Sequence, residues 1–318
     1  MFLEKVDKSP NLPLKYLLGF FIIALFYVLG QIPLGIGLVM KTFSSGKAMP
    51  TTEAEIMKVF SPNTTLFLML LIFVFTMLGI IIVVKYLHKL RLIDIITSRE
   101  KVDWKRIFFA FSVWGLFTLC STIVFYYTSP ENFVFNFRPI PFLILFIIAM
   151  IMLPIQTSTE EFIFRGYLMQ GIGILFKNRW APLVITSSVF GLMHILNPEV
   201  EKMGYIIMVY YIGTGFFLGI ITLMDDGMEL ALGFHAANNL ITALLVTSEW
   251  SALQTESVFK DTSEPSAGFE ILVPVLIIFP ILLFIFSKKY NWTNWKEKLT
   301  GDIVNQQIEN SENDGSNE

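Results

Sequence analysis

Long uncharged stretches constrain the fold of this chain more than any other feature of its sequence. Residues 66–84 and residues 142–154 contain no charged side chain. A helix needs about 20 predominantly apolar residues to cross the hydrocarbon core of a bilayer. Over the whole chain 54% of residues are hydrophobic and 15% are charged, whereas ordinary soluble domains carry about 25% charged residues. The sequence therefore predicts an all-α, polytopic membrane helix bundle.

Eight apolar stretches predict about eight transmembrane helices, although a count of seven or nine also fits. In chain order they are Leu14–Met40, Leu66–Val84, Ile107–Tyr127, Phe142–Leu168, Pro182–Leu196, Tyr205–Met224, Met228–Val246 and Ile271–Ser287. The first stretch is too long for the apolar segment of a cleavable signal peptide and lacks a small-x-small cleavage site. It is therefore predicted to be a retained first span.

The distribution of Lys and Arg predicts the orientation. Basic residues are concentrated between Lys85 and Arg106 and again just after residue 287. Cytoplasmic loops are enriched in Lys and Arg, so eight spans place both termini and the basic loop in the cytoplasm. We expect four regions along the chain. They are N-terminal transmembrane helices with a basic loop at 85–106 (residues 1–140), a helical core (141–246), a loop and final transmembrane helix (247–287), and a cytoplasmic, disordered tail (288–318).

Several classes of site are excluded by composition. The net charge of −3 and the lack of a basic tract with interleaved aromatics argue against a nucleic-acid partner. Cys120 is the single cysteine, so no intramolecular disulfide and no paired-cysteine metal site can form. The sequence also contains no His-Glu-x-x-His helix, no Gly-x-Ser-x-Gly turn and no phosphate-binding loop. The lipid bilayer is the partner that the composition predicts.

Glu160, Glu161 and Arg165 form a charge cluster within an apolar helix. A charged residue at the centre of a spanning helix costs roughly 2.5–3.5 kcal/mol on insertion scales. Adjacent residues of a helix point about 100° apart, whereas residues four apart share a face. Arg165 is therefore predicted to pair with Glu161, leaving Glu160 as a carboxylate for general-base chemistry. The competing interpretation is a helix end whose charges extend to water.

Two histidines occur in other apolar stretches. His194 follows Phe190 by four residues, and His235 precedes Asn239 by four residues. Either histidine alone is typical of a core residue hydrogen-bonded to a neighbouring helix. Together with the Glu pair, they can bind a metal or activate a water, and Asn239 can stabilise an oxyanion.

Other polar residues are predicted to be solvated. His88 lies among the basic residues of the loop at 85–106, which is typical of a surface histidine. Asp225, Asp226 and Glu229 lie in a short turn between two spans, and we expect water to surround their carboxylates.

The three motifs, in this order and on three helices, resemble those of the CAAX-protease and bacteriocin-processing family (CPBP, or Abi) of intramembrane metalloproteases. The resemblance covers residues 141–246, about a third of the chain. Each motif is short, and the combination is what makes the resemblance specific. The motifs are Glu160-Glu161-x-x-x-Arg165, Phe190-x-x-x-His194 and His235-x-x-x-Asn239.

The resemblance implies an endopeptidase that cleaves a membrane-associated peptide or protein, as in CAAX-type or leader-peptide processing. It implies that Glu160 and His194 activate a water, directly or through zinc or another divalent metal. His235 and Asn239 would stabilise the oxyanion, and Arg165 would hold Glu161. A metal would be bound by Glu160, His194 and His235.

Two other functions stay open at this point. One is a non-proteolytic membrane scaffold or a bacteriocin immunity or regulatory protein. The other is a transporter, for which inverted repeats are expected and none is evident. The predicted spans put Glu160 and His235 near the cytoplasmic face and His194 near the opposite face. An active site therefore requires the helix of His194 to lie deeper than its hydropathy indicates.

Overall fold

The computed structural model describes residue 3, residues 12–265 and residues 268–303. Within these residues the protein has twelve α-helices and three short strands. In chain order the helices are α1 (Leu12–Ser45), α2 (Glu53–Ile56), α3 (Pro62–Ile82), α4 (Trp104–Thr128), α5 (Pro139–Glu161), α6 (Met169–Phe176), α7 (Trp180–Leu192), α8 (Pro198–Met203), α9 (Ile207–Asp225), α10 (Glu229–Leu245), α11 (Phe279–Tyr290) and α12 (Trp295–Thr300). Three π-helical segments extend neighbouring helices: Val83–Leu87 after α3, Phe162–Leu168 after α5, and Pro274–Ile278 before α11.

The predicted membrane helix bundle is confirmed. In the described part of the chain, six helical segments are long and apolar enough to cross a membrane: Leu12–Ser45, Pro62–Leu87, Trp104–Thr128, Pro139–Phe176, Ile207–Asp225 and Phe269–Tyr290. The shorter apolar helix α7 and the 17-residue α10 bring the bundle to about eight helices. Helix α7 ends at Leu192 rather than at Leu196, because the chain turns after that residue.

Glycines let the helices of the core approach closely. A Cβ on Gly233 of α10 would overlap the carbonyl oxygen of Ile107 on α4. A Cβ on Gly215 of α9 would overlap the carbonyl oxygen of Ser187 on α7. Small residues are enriched at such interfaces in membranes, where close packing replaces the hydrophobic effect as the driving force. The two glycines therefore set the positions of α10 and α7.

Aromatic side chains fill the space between α4, α9, α10 and α11. The Phe217 ring lies 4.6 Å from the Phe279 ring and 4.8 Å from the Phe234 ring, centroid to centroid. Trp114 packs on Phe234 with a centroid separation of 4.5 Å. Such aromatic pairs contribute about 0.5–1.5 kcal/mol each beyond their buried area. This cluster fixes α10 from the side that faces away from α5.

A small sheet ties α4, α5 and α10 together at the end of the bundle remote from the basic loop. It has the strand order β1-β3-β2. The strands are β1 (Phe133–Phe135), β2 (Val246–Ser248) and β3 (Phe259–Asp261). Strands β1 and β3 are antiparallel, with Phe133 opposite Asp261, and β2 and β3 are parallel, with Val246 opposite Phe259. Because β2 directly follows α10, the sheet anchors that end of the helix.

The turn between α9 and α10 is largely buried, so the prediction that water surrounds Asp225 and Glu229 is wrong, whereas the Asp226 side chain is 30% exposed. Glu229 is fully buried and Asp225 is 5% exposed. Arg99 lies 3.0 Å from the Glu229 carboxylate and 3.1 Å from that of Asp225, and Arg106 also pairs with Asp225. The basic loop folds over the turn and supplies these cations, which is why the acidic residues can leave water.

His88 is also buried, which corrects the prediction of a surface histidine. It is 3% exposed, and its Nε2 lies 3.0 Å from the hydroxyl of Tyr167. Its ring lies 4.5 Å from that of Tyr16 on α1. The π-helical segment Val83–Leu87 continues α3 up to the histidine, and the contacts of His88 with Tyr16 and Tyr167 are not revealed by charge pattern alone.

The segment after residue 287 begins as ordered structure rather than as the predicted disordered tail. Helix α11 continues to Tyr290, and α12 follows at Trp295–Thr300. The ammonium of Lys298 donates to Asp226 at 2.7 Å, which holds α12 against the end of α9. The remainder of the predicted tail, residues 304–318, lies outside the described residues.

Candidate active site

The Glu pair lies in the interior of a helix rather than near its end. Helix α5, the π-helical segment Phe162–Leu168 and α6 form one continuous span from Pro139 to Phe176, 38 residues long. At 1.5 Å per residue, Glu160 lies about 24 Å from Phe176 along the helix axis. The interpretation of the charge cluster as a helix end is therefore wrong, whereas the position of Glu160 relative to the cytoplasmic face stays a prediction. Charges inside the span do not end it because partners within the bundle neutralise them.

Glu161 and Arg165 form the ion pair that their four-residue spacing predicts. Arg165 Nη1 donates to Glu161 Oε1 at 3.2 Å, and both side chains are fully buried. The same guanidinium donates through Nη2 to the carbonyl oxygen of Gly215 at 3.0 Å. Its central carbon lies 4.2 Å from the centroid of the Phe190 ring, a cation–π contact. Arg165 thus joins α5, α7 and α9 at one point.

His235 lies between the two carboxylates. Its Nδ1 is 2.8 Å from Glu161 Oε1, and its Nε2 is 3.4 Å from Glu160 Oε2. When Nδ1–H donates to Glu161, a neutral ring presents a lone pair at Nε2. That lone pair would face a carboxylate oxygen, which is also an acceptor. A proton shared between Nε2 and Glu160, or a small bridging donor, is therefore needed to satisfy both atoms.

A second set of hydrogen bonds reaches Glu160 from the other side. Gln156 Nε2 donates to Glu160 Oε1 at 2.8 Å. Asn239 Nδ2 donates to Gln156 Oε1 at 2.9 Å, and Asn238 Nδ2 donates to Asn239 Oδ1 at 3.0 Å. Gln156 and Asn238 are site residues that sequence reasoning missed. For Gln156 a signal existed, because it is an amide in an apolar helix, one turn before Glu160.

His194 lies at the edge of this network, in the turn after α7. Its Nδ1 is 2.9 Å from the carbonyl oxygen of Phe190, and its ring stacks on Tyr211 with a centroid separation of 4.4 Å. The Phe190 ring contacts both imidazoles, at 5.2 Å from His194 and 5.9 Å from His235. The structure therefore brings His194 to the same region as Glu160 without a direct hydrogen bond between them.

Donor atoms for a divalent metal are present, but only two of them meet. His235 Nε2 and Glu160 Oε2 are 3.4 Å apart, close to the roughly 3.3 Å between two ligand atoms of one tetrahedral zinc ion. In the described part of the chain, no group of three His, Cys, Asp or Glu residues is arranged to hold a metal ion. A catalytic zinc needs three protein ligands. The set Glu160, His194 and His235 therefore does not fit a metal site in this arrangement.

The site combines a base, a histidine and an amide donor inside a membrane helix bundle. Glu160 has one oxygen held by an amide and the other turned towards an imidazole. Glu161 is neutralised by Arg165 and bonded to His235. The Glu160 side chain is 16% exposed, so a small molecule such as water can reach it. This arrangement is suited to activating a water for attack on a carbonyl carbon.

Comparison with known proteins gives two findings. Residues 139–241 match a protein family described as type II CAAX prenyl endopeptidase Rce1-like. An uncharacterised protein of Bacillus subtilis strain 168, YyaK, is 28% identical over 236 residues, which are 74% of this chain and 78% of that protein. No solved structure matches. Every residue of the three motifs lies within the matched segment.

Proposed function

We propose that this chain hydrolyses a peptide bond of a membrane-associated peptide or protein, on the premise that its residues 139–241 match the Rce1-like type II CAAX prenyl endopeptidases. The observation that carries the proposal is the position of Glu160. Its Oε2 faces His235 while its Oε1 is held by Gln156. The family match of residues 139–241 supports a membrane protease, and the residue roles below are our inference.

In the proposed mechanism Glu160 is the general base. A water beside Oε2 transfers a proton to the carboxylate as its oxygen attacks the substrate carbonyl carbon. The resulting oxyanion accepts hydrogen bonds from Asn239 Nδ2–H and from protonated Nε2 of His235. Glu160 then delivers its proton to the leaving nitrogen as the C–N bond breaks. The products are a carboxylic acid and an amine, which exchange the remaining proton of the water to become a carboxylate and an ammonium group, and Glu160 is again ionised.

Glu161 and Arg165 support this chemistry without touching substrate. The ion pair and the bond from Nδ1 of His235 hold the second carboxylate away from the reacting atoms. Pairing also supplies an internal counter-charge, without which a buried carboxylate would be strongly destabilising.

His194 is proposed to orient the attacking water. Its Nδ1 is occupied by the carbonyl oxygen of Phe190, so Nε2 carries the lone pair of the neutral ring. An acceptor at that position can hold the second hydrogen of the water that Glu160 deprotonates. A metalloprotease mechanism would instead require His194 to move until it joins Glu160 and His235 around one ion.

The substrate class is proposed to be a CAAX-type prenylated tail or a leader-type peptide. The description of the family supports the first of these. A site in the interior of the span from Pro139 to Phe176 favours a substrate that is itself held at the membrane.

We further propose that both termini and the basic loop face the cytoplasm. Lys85 to Arg106, the α9–α10 turn and the end of α11 lie at one end of the bundle. The positive-inside rule assigns that end to the cytoplasm.

The test is a comparison of membrane peptidomes by mass spectrometry from cells with the native protein and with Glu160→Gln. The substitution preserves shape and removes the base. We expect a set of peptides to disappear, and Glu100→Gln at an exposed position to leave the set unchanged. Identical peptidomes for native protein and Glu160→Gln would refute the proposal. A biological phenotype retained by Glu160→Gln would support the scaffold or regulatory function.

A further inference from the structure

Four hydrogen bonds connect Trp114 on α4 to the proposed base through three side-chain amides. The chain runs across α4, α10 and α5, so it depends on the packing of three helices. Its members are Trp114 Nε1 to Asn238 Oδ1 at 3.1 Å, Asn238 Nδ2 to Asn239 Oδ1 at 3.0 Å, Asn239 Nδ2 to Gln156 Oε1 at 2.9 Å, and Gln156 Nε2 to Glu160 Oε1 at 2.8 Å. We refer to it as the amide relay.

The two ends of the relay fix the direction of every amide in it. The indole N–H of Trp114 can only donate, and an ionised carboxylate such as that of Glu160 can only accept. Each amide between them must therefore accept on the tryptophan side and donate on the glutamate side. Turning any one amide by 180° places two donors or two acceptors face to face and breaks two bonds. The orientation of the amides in the structure thus agrees with the one that the donor and acceptor types at the two ends require.

We propose that Gln156 is a positioning residue that orients the base and the oxyanion donor together. Its Nε2–H occupies Oε1 of Glu160, which leaves Oε2 as the oxygen that faces His235 and the attacking water. Its Oε1 accepts one hydrogen of the Asn239 amide, so the other hydrogen has a defined direction. This inference rests on the proposed function.

The surroundings of Gln156 suit this role. Its side chain is 8% exposed, so bulk water does not compete well for its hydrogen bonds. It lies one helical turn before Glu160, and both are carried by α5. Loss of the hydrogen-bond partner that orients a metal ligand changes activity by about 10- to 100-fold, and we expect an effect of this size for an oriented carboxylate. Gln156 touches neither substrate nor water in the proposed mechanism and acts through its two neighbours.

The first experiment compares Gln156→Met with Thr157→Val in the purified full-length protein. Methionine keeps the length of the side chain and removes both hydrogen bonds. Thr157 is buried on the same helix and donates to Leu153 O within it, so it controls for loss of a buried polar group. With an internally quenched prenylated CAAX-type peptide, or with a peptide found in the peptidome comparison, we expect Gln156→Met to lower kcat by about 10- to 100-fold. The KM and the thermal midpoint should stay close to native.

A double-mutant cycle separates positioning from general loss of structure. Trp114→Phe keeps the aromatic packing and removes only the donor at the far end of the relay. We expect it to lower kcat by a smaller factor than Gln156→Met. In an Asn239→Ala background, which interrupts the relay, Trp114→Phe should have no further effect on kcat. Fully additive losses would overturn the inference.

A spectroscopic readout tests the relay without using activity. The indole N–H resonance of Trp114 is assigned by its disappearance in Trp114→Phe, and its shift reports the bond to Asn238. We expect this shift to change in Gln156→Met and not in Thr157→Val. An unchanged shift, or native kcat in Gln156→Met while Glu160→Gln is inactive, would overturn the positioning role alone. Native cleavage by Glu160→Gln would instead overturn the proposed function.

Discussion

Arg165 is a buried cation next to two adjacent carboxylates, so it compensates part of their negative charge. Replacing it with methionine leaves Glu161 buried without its cation. Breaking a buried ion pair from one side costs about 3–5 kcal/mol. We expect Arg165→Met to lower the unfolding free energy by that amount, measured by denaturation in detergent. Arg165→Lys should recover only part of it, since one ammonium cannot bond Glu161 and Gly215 and also stack on Phe190.

Two controls test whether the loss of unfolding free energy in Arg165→Met comes from the burial of the ion pair or from ion pairing alone. Lys260 pairs with Glu249, whose side chain is 71% exposed, so Lys260→Gln should cost about 0–1 kcal/mol. Adding Glu161→Gln to Arg165→Met removes the stranded charge and should restore part of the stability. Equal losses for Arg165→Met and Lys260→Gln would contradict the assignment of a buried, energetically dominant pair.

The donor geometry at the site also predicts the response to metal removal. Glu160 and His235 supply two ligand atoms, and no third His, Cys, Asp or Glu among the described residues completes a site. We therefore expect cleavage to survive dialysis against a strong chelator, measured as peptide product per enzyme. Loss of activity that added zinc restores would show that His194 joins the other two residues during the reaction.

Single residues differ in how far their contacts can be predicted. The Glu161–Arg165 pair follows from local helix periodicity, and the bond from Gln156 to Glu160 has the same four-residue spacing. The contacts of His235 with both carboxylates depend on how α10 packs against α5, which no local pattern encodes. The burial of His88 was missed for the same reason, since its partners Tyr16 and Tyr167 are distant in sequence.

At the level of helices, the depth of α10 determines whether His235 and Asn239 reach the Glu pair. Gly233 precedes His235 by two residues and touches the backbone of α4 at Ile107. Gly233→Ala should push the two helices apart, at a cost of about 1–3 kcal/mol for overpacking. It should also lower kcat, because the histidine moves with its helix. Denaturation in detergent and kcat on the same preparations check both effects.

Gly35 on α1 provides a matched control, for which we expect a change in stability of the opposite sign. A Cβ on Gly35 would meet no atom within 4 Å. Gly35→Ala is therefore expected to stabilise the protein by about 0.5–1 kcal/mol, because alanine loses less backbone entropy in a helix. Destabilisation by Gly35→Ala, or no effect of Gly233→Ala, would show that contact with α4 does not set the position of α10.

The elements themselves were only partly predictable. Hydropathy locates the spans because a run of about 20 apolar residues is typical of a transmembrane helix. It ends the helix of the Glu pair at Leu168 rather than at Phe176, because a span that already suffices to cross the bilayer gives no sign that the helix continues. The π-helical segment after Glu161 and the three-residue strands leave no period long enough to detect.

For the whole molecule, the charge distribution predicts which end faces the cytoplasm. Lys101 is exposed at the end with the basic loop, and Lys202 on α8 is exposed at the other end. In a Cys120→Ser background, Lys101→Cys and Lys202→Cys each provide a single thiol. A membrane-impermeant maleimide should label Lys202→Cys in intact cells and Lys101→Cys only after the membrane is opened. The reverse pattern would place the termini outside.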